Sequence, residues 1–240
     1  MRLSATRVRA IVRKELREYR HNRQLVVTMA VLPLIFIIFP AVQIFAQPAS
    51  AACALAHGQV LVYMLGIPAL VPATFASISV AGERQQGTLE PVLTTPIRRE
   101  EFLLGKALAA LVPAIIVSYG VFGVFVAAIE LFAQPAVASA VLRGPELAGQ
   151  VLFTPLVACL SIWIGIAISA RSSDPRVAAQ LSLLASLPSI IVTTLIAIGK
   201  IHITPGLALG LAAVLLLLDG LGWRIVSPAF DRERLITGTR

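Results

Sequence analysis

Long apolar runs separated by short polar segments dominate the chain. Residues 24–82 include no Asp, Glu, Lys or Arg, and the small, polar stretch 47–52 divides this run in two. Four more charge-free runs follow. A membrane-spanning helix needs about 20 apolar residues to cross a hydrocarbon core about 30 Å thick. The pattern therefore predicts an all-α, polytopic membrane protein with six spans, near residues 25–45, 59–81, 103–130, 147–170, 177–199 and 204–223.

The first 24 residues follow a different pattern, in which apolar residues recur every three or four positions among arginines. The apolar stripe consists of Val8, Ile11, Val12, Leu16 and Tyr19. It predicts an amphipathic helix over residues 1–24 that lies at the membrane interface beside anionic lipid, as an anchor or as a lever for the first span. We expect Glu15 and Glu18 to pair with arginines one turn away. A cleaved signal peptide is disfavoured, because its apolar region has only roughly 7–15 residues.

Composition and charge narrow the class of protein and orient the spans. With 58% hydrophobic and 13% charged residues, the chain lacks the roughly 25% charged residues of a soluble domain. Of the 20 Lys and Arg residues, 18 fall on one side of the predicted spans, and only Arg143 and Lys200 fall on the other. Lys and Arg in short loops mark the cytoplasmic side. Both termini, including a tail at 224–240, are therefore predicted to be cytoplasmic, and the net charge of +8 does not indicate nucleic-acid binding.

The loop at 82–102, between the second and third spans, carries two patterns typical of helix starts. Gly87 and Thr88 offer a flexible turn and an N-cap hydroxyl, and Thr95 with Pro96 forms a second N-cap and first-turn pair that could begin the third span. The pattern predicts a short amphipathic helix across the end of two spans, suited to docking on a partner. Lys106, one turn inside the third span, is expected to extend back to the interface.

These residues carry a resemblance to a known family. The pattern Glu-Arg-x-x-Gly-Thr-Leu-Glu-x-x-Leu-x-Thr-Pro begins at Glu83, and Arg-x-Glu-x-Leu-Leu-Gly-Lys ends at Lys106. Together they resemble the membrane subunit of ABC-2-type transporters, particularly the short six-span exporter permeases that include the sodium-efflux type. The resemblance implies that residues 83–95 form a coupling helix seated in a groove of a separate nucleotide-binding subunit. The docking residues it implies are Glu83, Arg84, Gly87, Thr88, Leu89, Glu90, Val92, Leu93, Thr95 and Pro96.

The resemblance also implies partners and a location. Two permease subunits, the second a copy or a similar permease, would work with two ABC ATPase subunits that bind ATP and Mg. The assembly would lie in the lipid of a bacterial or archaeal inner membrane, and this chain would hold no cofactor or metal of its own. The substrate and the form of the outer gate stay open, since the join near Lys200 leaves little room for a re-entrant hairpin unless the fifth span breaks at Pro188.

The chemistry that the sequence lacks agrees with a transport role. Gly105 and Lys106 are not part of a phosphate-binding loop, because the upstream glycine and the following Ser or Thr are absent. We therefore do not expect this chain to be an enzyme. The alternatives are an ion-coupled secondary transporter and a membrane-embedded lipid-modifying enzyme. Glu130 lies at the outer end of the third predicted span, and Asp219 lies near the inner end of the sixth. Whether either has a transport role stays open.

Overall fold

The computed structural model describes residues 4–48, 50, 55, 58–85, 87, 98–172, 174–201 and 203–230. In these ranges the chain is helical and contains no strand. Two 3-10 helices, Val60–Leu65 and Ser227–Phe230, flank the membrane helices. The α-helices are α1 (Ala5–His21), α2 (Arg23–Phe45), α3 (Gly66–Gln85), α4 (Arg99–Phe132), α5 (Pro135–Val141), α6 (Gly144–Arg171), α7 (Pro175–Ala185), α8 (Leu187–Ala197) and α9 (Pro205–Val226).

The helices have the length and composition that a bilayer requires. Five helical segments of the described chain are long and apolar enough to cross a membrane. They are Val60–Glu83, Arg99–Phe132, Gly144–Arg171, Pro175–Ala197 and Pro205–Val226. The shorter apolar helix Met29–Phe45 lies within α2, at the position of the first predicted span. The prediction of an all-α, polytopic membrane protein is confirmed.

Helix α3 is the centre of the bundle. The most apolar part of the span Val60–Glu83, which contains most of α3, is 83% buried inside the protein. The corresponding part of α9 is 6% buried. Its closest partner is α6, where a Cβ atom at Gly165 would lie only 2.8 Å from the Ala73 carbonyl oxygen. Small residues allow such close approach, which is how membrane helices gain packing energy without a hydrophobic driving force. The Ser169 hydroxyl of α6 also accepts hydrogen bonds from the backbone N–H groups of Val80 and Ala81, at 3.1 and 3.0 Å.

The fifth span is kinked where the sequence suggested a break. Helix α7 ends at Ala185, Ser186 keeps a helical backbone conformation, and α8 begins at Leu187. Pro188 lacks the N–H that would continue the helical hydrogen bonds, so it interrupts the span at this point. The Ser186 hydroxyl donates to the Ser182 carbonyl at 2.9 Å and stabilises the turn before the kink. The chain continues in helical form on both sides, so the break is a kink and not a hairpin.

Candidate functional site

A buried group of charged side chains lies at the loop end of the bundle, which we define as the end where α3 stops and α4 starts. The Lys106 ammonium lies 3.0 Å from Glu15 Oε1 and 3.0 Å from Glu83 Oε2. It also donates to the Ser79 carbonyl at 2.8 Å. The Lys106 side chain is 0% exposed, and those of Glu15 and Glu83 are 3% and 5% exposed. We call Lys14, Glu15, Glu83 and Lys106 the charge cluster.

Lys14 is the outer cation of the charge cluster. Its ammonium donates to Glu83 Oε1 at 2.7 Å and lies 3.8 Å from Glu15 and 3.4 Å from Glu18. Burial acts to lower the pKa of Lys14, but the hydrogen bond and charge of Glu83, together with the charges of Glu15 and Glu18, outweigh it, and the net effect is a raised pKa. Each buried carboxylate therefore faces cations, which is the condition under which a protein interior tolerates charge.

The charge cluster forms because Glu15 lies on the buried face of α1. The buried residues of α1 are Val8, Ile11, Glu15 and Tyr19, spaced three or four apart on one face. Tyr19 packs against Phe75 of α3 with ring centroids 5.0 Å apart. Burial, followed by the charge of Glu15, raises the pKa of Tyr19 well above its usual value. The stripe that the sequence assigned to lipid contact is thus covered by helices of the same chain.

A second contact fixes the start of α1 to the start of α4. Glu101 accepts a hydrogen bond from the Ser4 backbone N–H at 2.8 Å and from the Arg98 backbone N–H at 3.2 Å. Arg7 lies 3.4 Å from the same carboxylate. Glu101 therefore caps α4 and holds the residue before α1 with one side chain. Between Glu101 and the charge cluster, Ile11 rests directly on Gly105, where a Cβ atom would come within 2.6 Å of it.

The structure describes only part of the set of docking residues that the resemblance implied. Glu83 is buried in the charge cluster, so its described contacts are made within this chain. Gly87 is exposed and has φ of +67°, a left-handed conformation that glycine adopts without steric cost. The Arg84 side chain and the whole of residues 88–97, including Thr88, Leu89, Glu90, Val92, Leu93, Thr95 and Pro96, lie outside the described residues. Their docking role stays a prediction.

Three expectations about this end of the bundle were wrong. Lys106 does not extend back to the interface, because two carboxylates and a carbonyl hold its ammonium inside the protein. Glu15 pairs with Lys106 of another helix and not with an arginine one turn away. Helix α4 begins at Arg99, with Arg98 as its N-cap, and not with the Thr95 and Pro96 pair.

Sequence reasoning missed Glu15, Lys106 and Glu101 as members of a site, although two signals were present. Glu15 occupies an apolar-stripe position, four residues from both Ile11 and Tyr19. Lys106 lies inside a segment that is otherwise apolar from residue 102 onward, and a charge at such a depth needs a partner. No pattern in the sequence assigns that partner, because the pairing depends on how α1 crosses α4.

Among the described residues, the remaining ionisable groups near the spans form no comparable site. Glu130 is exposed at the far end of α4. Asp219 is half-buried on α9, and within the described part of the chain its buried Oδ1 atom has no hydrogen-bond partner. Across the described ranges, no group of three or more His, Cys, Asp or Glu side chains is placed to hold a metal ion.

Comparison with known families identifies the family of this chain. The family model described as "ABC-2 family transporter protein" matches residues 9–219, which cover most of α1, all of α2 to α8, most of α9 and the charge cluster. The chain belongs to this family. It is therefore the membrane component of an ABC-type transporter, and membership implies an ABC ATPase partner in general terms. A search of individually curated proteins gave no match.

Proposed function

We propose that this ABC-2 family chain is the permease subunit of an ATP-driven exporter. Two permease subunits would form the pathway, and two ABC ATPase subunits would bind ATP and Mg and hydrolyse the ATP. The chain itself would have no catalytic activity and no cofactor. The observation that carries the proposal is the family match over residues 9–219, joined to a chain in which no phosphate-binding loop occurs.

The proposed docking segment is 83–95, with Leu89, Val92 and Leu93 in a groove of the ATPase and Glu90 at its edge. The charge cluster supports this assignment, because it anchors the end of α3, where the segment begins, and the start of α4 just after the segment. A docking segment transmits force only when both of its ends are fixed to the membrane helices. Lys106 and Glu101 provide contacts of that kind at the start of α4.

Purification from the native membrane in mild detergent tests the proposal. We expect an ABC ATPase subunit, identified by mass, to co-purify in equal amount and to hydrolyse ATP. Glu90→Lys should reduce the co-purified ATPase at least about tenfold, since about 1.4 kcal/mol of docking free energy corresponds to tenfold in Kd. The matched control is Glu130→Lys, the same charge change at the exposed far end of α4. A chain that purifies alone, without ATPase activity, would overturn the proposal.

We also propose that both termini and the loop end face the cytoplasm of the cell membrane. The supporting observation is the distribution of Lys and Arg, 18 on one side and two on the other. In intact cells, an impermeant thiol reagent should label Cys53, which the predicted topology places outside. Cys159 lies within α6 and is only partly exposed, so it should label poorly. Labelling of Cys53 only after permeabilisation would contradict this orientation.

A further inference from the structure

The Lys106 ammonium joins three helices that are distant in the sequence. Glu15 belongs to α1, Ser79 and Glu83 belong to the end of α3, and Lys106 belongs to the start of α4. An ammonium has three N–H donors. Glu15 Oε1 and the Ser79 carbonyl accept hydrogen bonds from it, and Glu83 Oε2 lies 3.0 Å away as its second ion pair. The side chain is 0% exposed, so water does not compete. If any of the three helices moved away from the others, at least one of these buried contacts would be lost.

Other contacts hold the same three helices together along the length of α1. Glu101 fixes the start of α1 through the Ser4 backbone. Ile11 fixes its middle, since it fills the space that only a glycine at position 105 leaves open. Tyr19 fixes its end through the ring of Phe75. Helix α1 is thus attached at its start, middle and end, which is more than an anchor for the next span requires.

We propose that Lys106 and Glu15 are positioning residues of the transport cycle, which hold α1, the end of α3 and the start of α4 as one rigid unit. This unit carries movement of the segment between α3 and α4 into the membrane helices. The inference rests on the proposed function, in which that segment moves with the ATPase. The sequence left open whether α1 is an anchor or a lever for the first span. On this inference α1 moves as part of the unit and does not swing on its own.

The rigidity of the unit is measured with two spin labels in the purified complex, after Cys53→Ser and Cys159→Ser have removed the native thiols. Arg13→Cys places one label on the exposed face of α1, and Ile116→Cys places the other on α4, where the native side chain is 65% exposed. We expect the distance between the labels to stay the same without nucleotide and with a non-hydrolysable ATP analogue. A shift of the distance on nucleotide binding would overturn the rigid unit.

The positioning role is tested by asking whether ATP still changes the accessibility of the far end of the membrane helices. In the same thiol-free background, Glu130→Cys places a single thiol at the far end of α4. ATP should change the rate at which an impermeant thiol reagent labels this cysteine. Lys106→Met should keep the ATPase bound and active but lose the ATP-dependent change in labelling. Lys200→Met, at an exposed position outside the cluster, is the matched control and should keep the change.

A second variant, Glu15→Gln, keeps the inference testable. If Lys106→Met does not assemble, Glu15→Gln removes one charge while keeping the size of the side chain, and it should show the same loss in part. A Lys106→Met or Glu15→Gln complex that responds to ATP as fully as the unaltered chain would overturn the inference. Absence of any ATPase, or of any ATP response in the unaltered chain, would instead refute the proposed function on which the inference rests.

Discussion

Replacing Lys106 with Met tests the energetic importance of the charge cluster most directly. Methionine keeps much of the volume of the lysine stem, including its contact with the Phe102 ring, over which the ammonium lies 4.9 Å from the centroid. What the change removes is the cation and its three contacts at 2.8–3.0 Å. The carboxylates of Glu15 and Glu83 then stay buried with less compensation.

The size of the effect follows from which carboxylate loses its partner. Glu83 keeps Lys14 at 2.7 Å, whereas the cation left nearest to Glu15 is the same lysine, at 3.8 Å. Removing one partner of a buried ion pair costs about 3–5 kcal/mol. We expect the lower end, about 3 kcal/mol, because Lys14 partly compensates both carboxylates. For a chain of this size, 1 kcal/mol shifts Tm by about 2–4 °C, so Tm should fall by roughly 6–12 °C.

Thermal unfolding of the purified chain in detergent provides the assay. The chain has two tryptophans, Trp163 and Trp223, and they form an edge-to-face pair with centroids 5.7 Å apart. Their fluorescence therefore reports loss of packing between α6 and α9. Lys200→Met serves as the control and should leave Tm unchanged. A fall of less than about 2 °C in Lys106→Met would refute the reasoning, since by the same conversion it corresponds to at most about 1 kcal/mol.

A triple variant separates the lost charge pairing from lost packing. Buried ion clusters replaced entirely by apolar side chains of similar volume are often as stable as the original. Glu15→Leu with Glu83→Leu and Lys106→Met should therefore recover most of the Tm that Lys106→Met alone loses. Lys14 remains compensated there, because it is partly exposed and lies 3.4 Å from Glu18. Without recovery, the loss would be one of packing.

Three further predictions concern the surroundings of the charge cluster. Gly105→Ala should lower Tm, because the new Cβ atom would lie 2.6 Å from Ile11 Cγ2. Gly123→Ala on the same helix is the control and should leave Tm unchanged, because its Cβ atom would meet nothing within 4 Å. Gly87→Ala should destabilise by about 1–2 kcal/mol, measured by the same unfolding assay, because φ of +67° is costly for a residue with a Cβ atom. The free energy of unfolding should fall as the pH rises above about 10. The reason is that the raised pKa of Tyr19 keeps the phenol protonated in the folded state after it has lost its proton in the unfolded state. Tyr19→Phe should flatten this fall.

The membrane helices were the part of the fold most accessible from sequence. A bilayer forces each span to be long, apolar and free of charge, so charge-free runs indicate helices without any knowledge of their neighbours. The kink in the fifth span was only partly accessible. Proline lacks the N–H that continues a helix, yet Pro33, Pro72 and Pro155 lie inside helices that continue without a break. Neither argument says which helix becomes central, and the burial of α3 depends on small residues that meet across the bundle, such as Ala73 and Gly165.

The candidate site was less accessible because it depends on contacts between distant residues. Glu15 and Lys106 are 91 positions apart, and the local pattern around each residue allows more than one pairing. Lys14, adjacent in the sequence, offered Glu15 a nearer cation, and Lys106 could have extended its ammonium to the membrane interface. The observed choice depends on Gly105, which lets α1 approach α4 closely enough for the two side chains to meet inside the protein.

Glu15 and Lys106 share a property that is visible in the sequence. Each interrupts an apolar pattern that is otherwise regular, Glu15 on the stripe of α1 and Lys106 in the first turns of an apolar span. Positions where the local pattern conflicts with the surrounding fold are where functional constraints are expected. Leucine at both positions would satisfy the pattern and avoid the cost of burying this pair of charges. A requirement beyond stability, such as holding α1 in one place relative to α3 and α4, accounts for a charge at both positions.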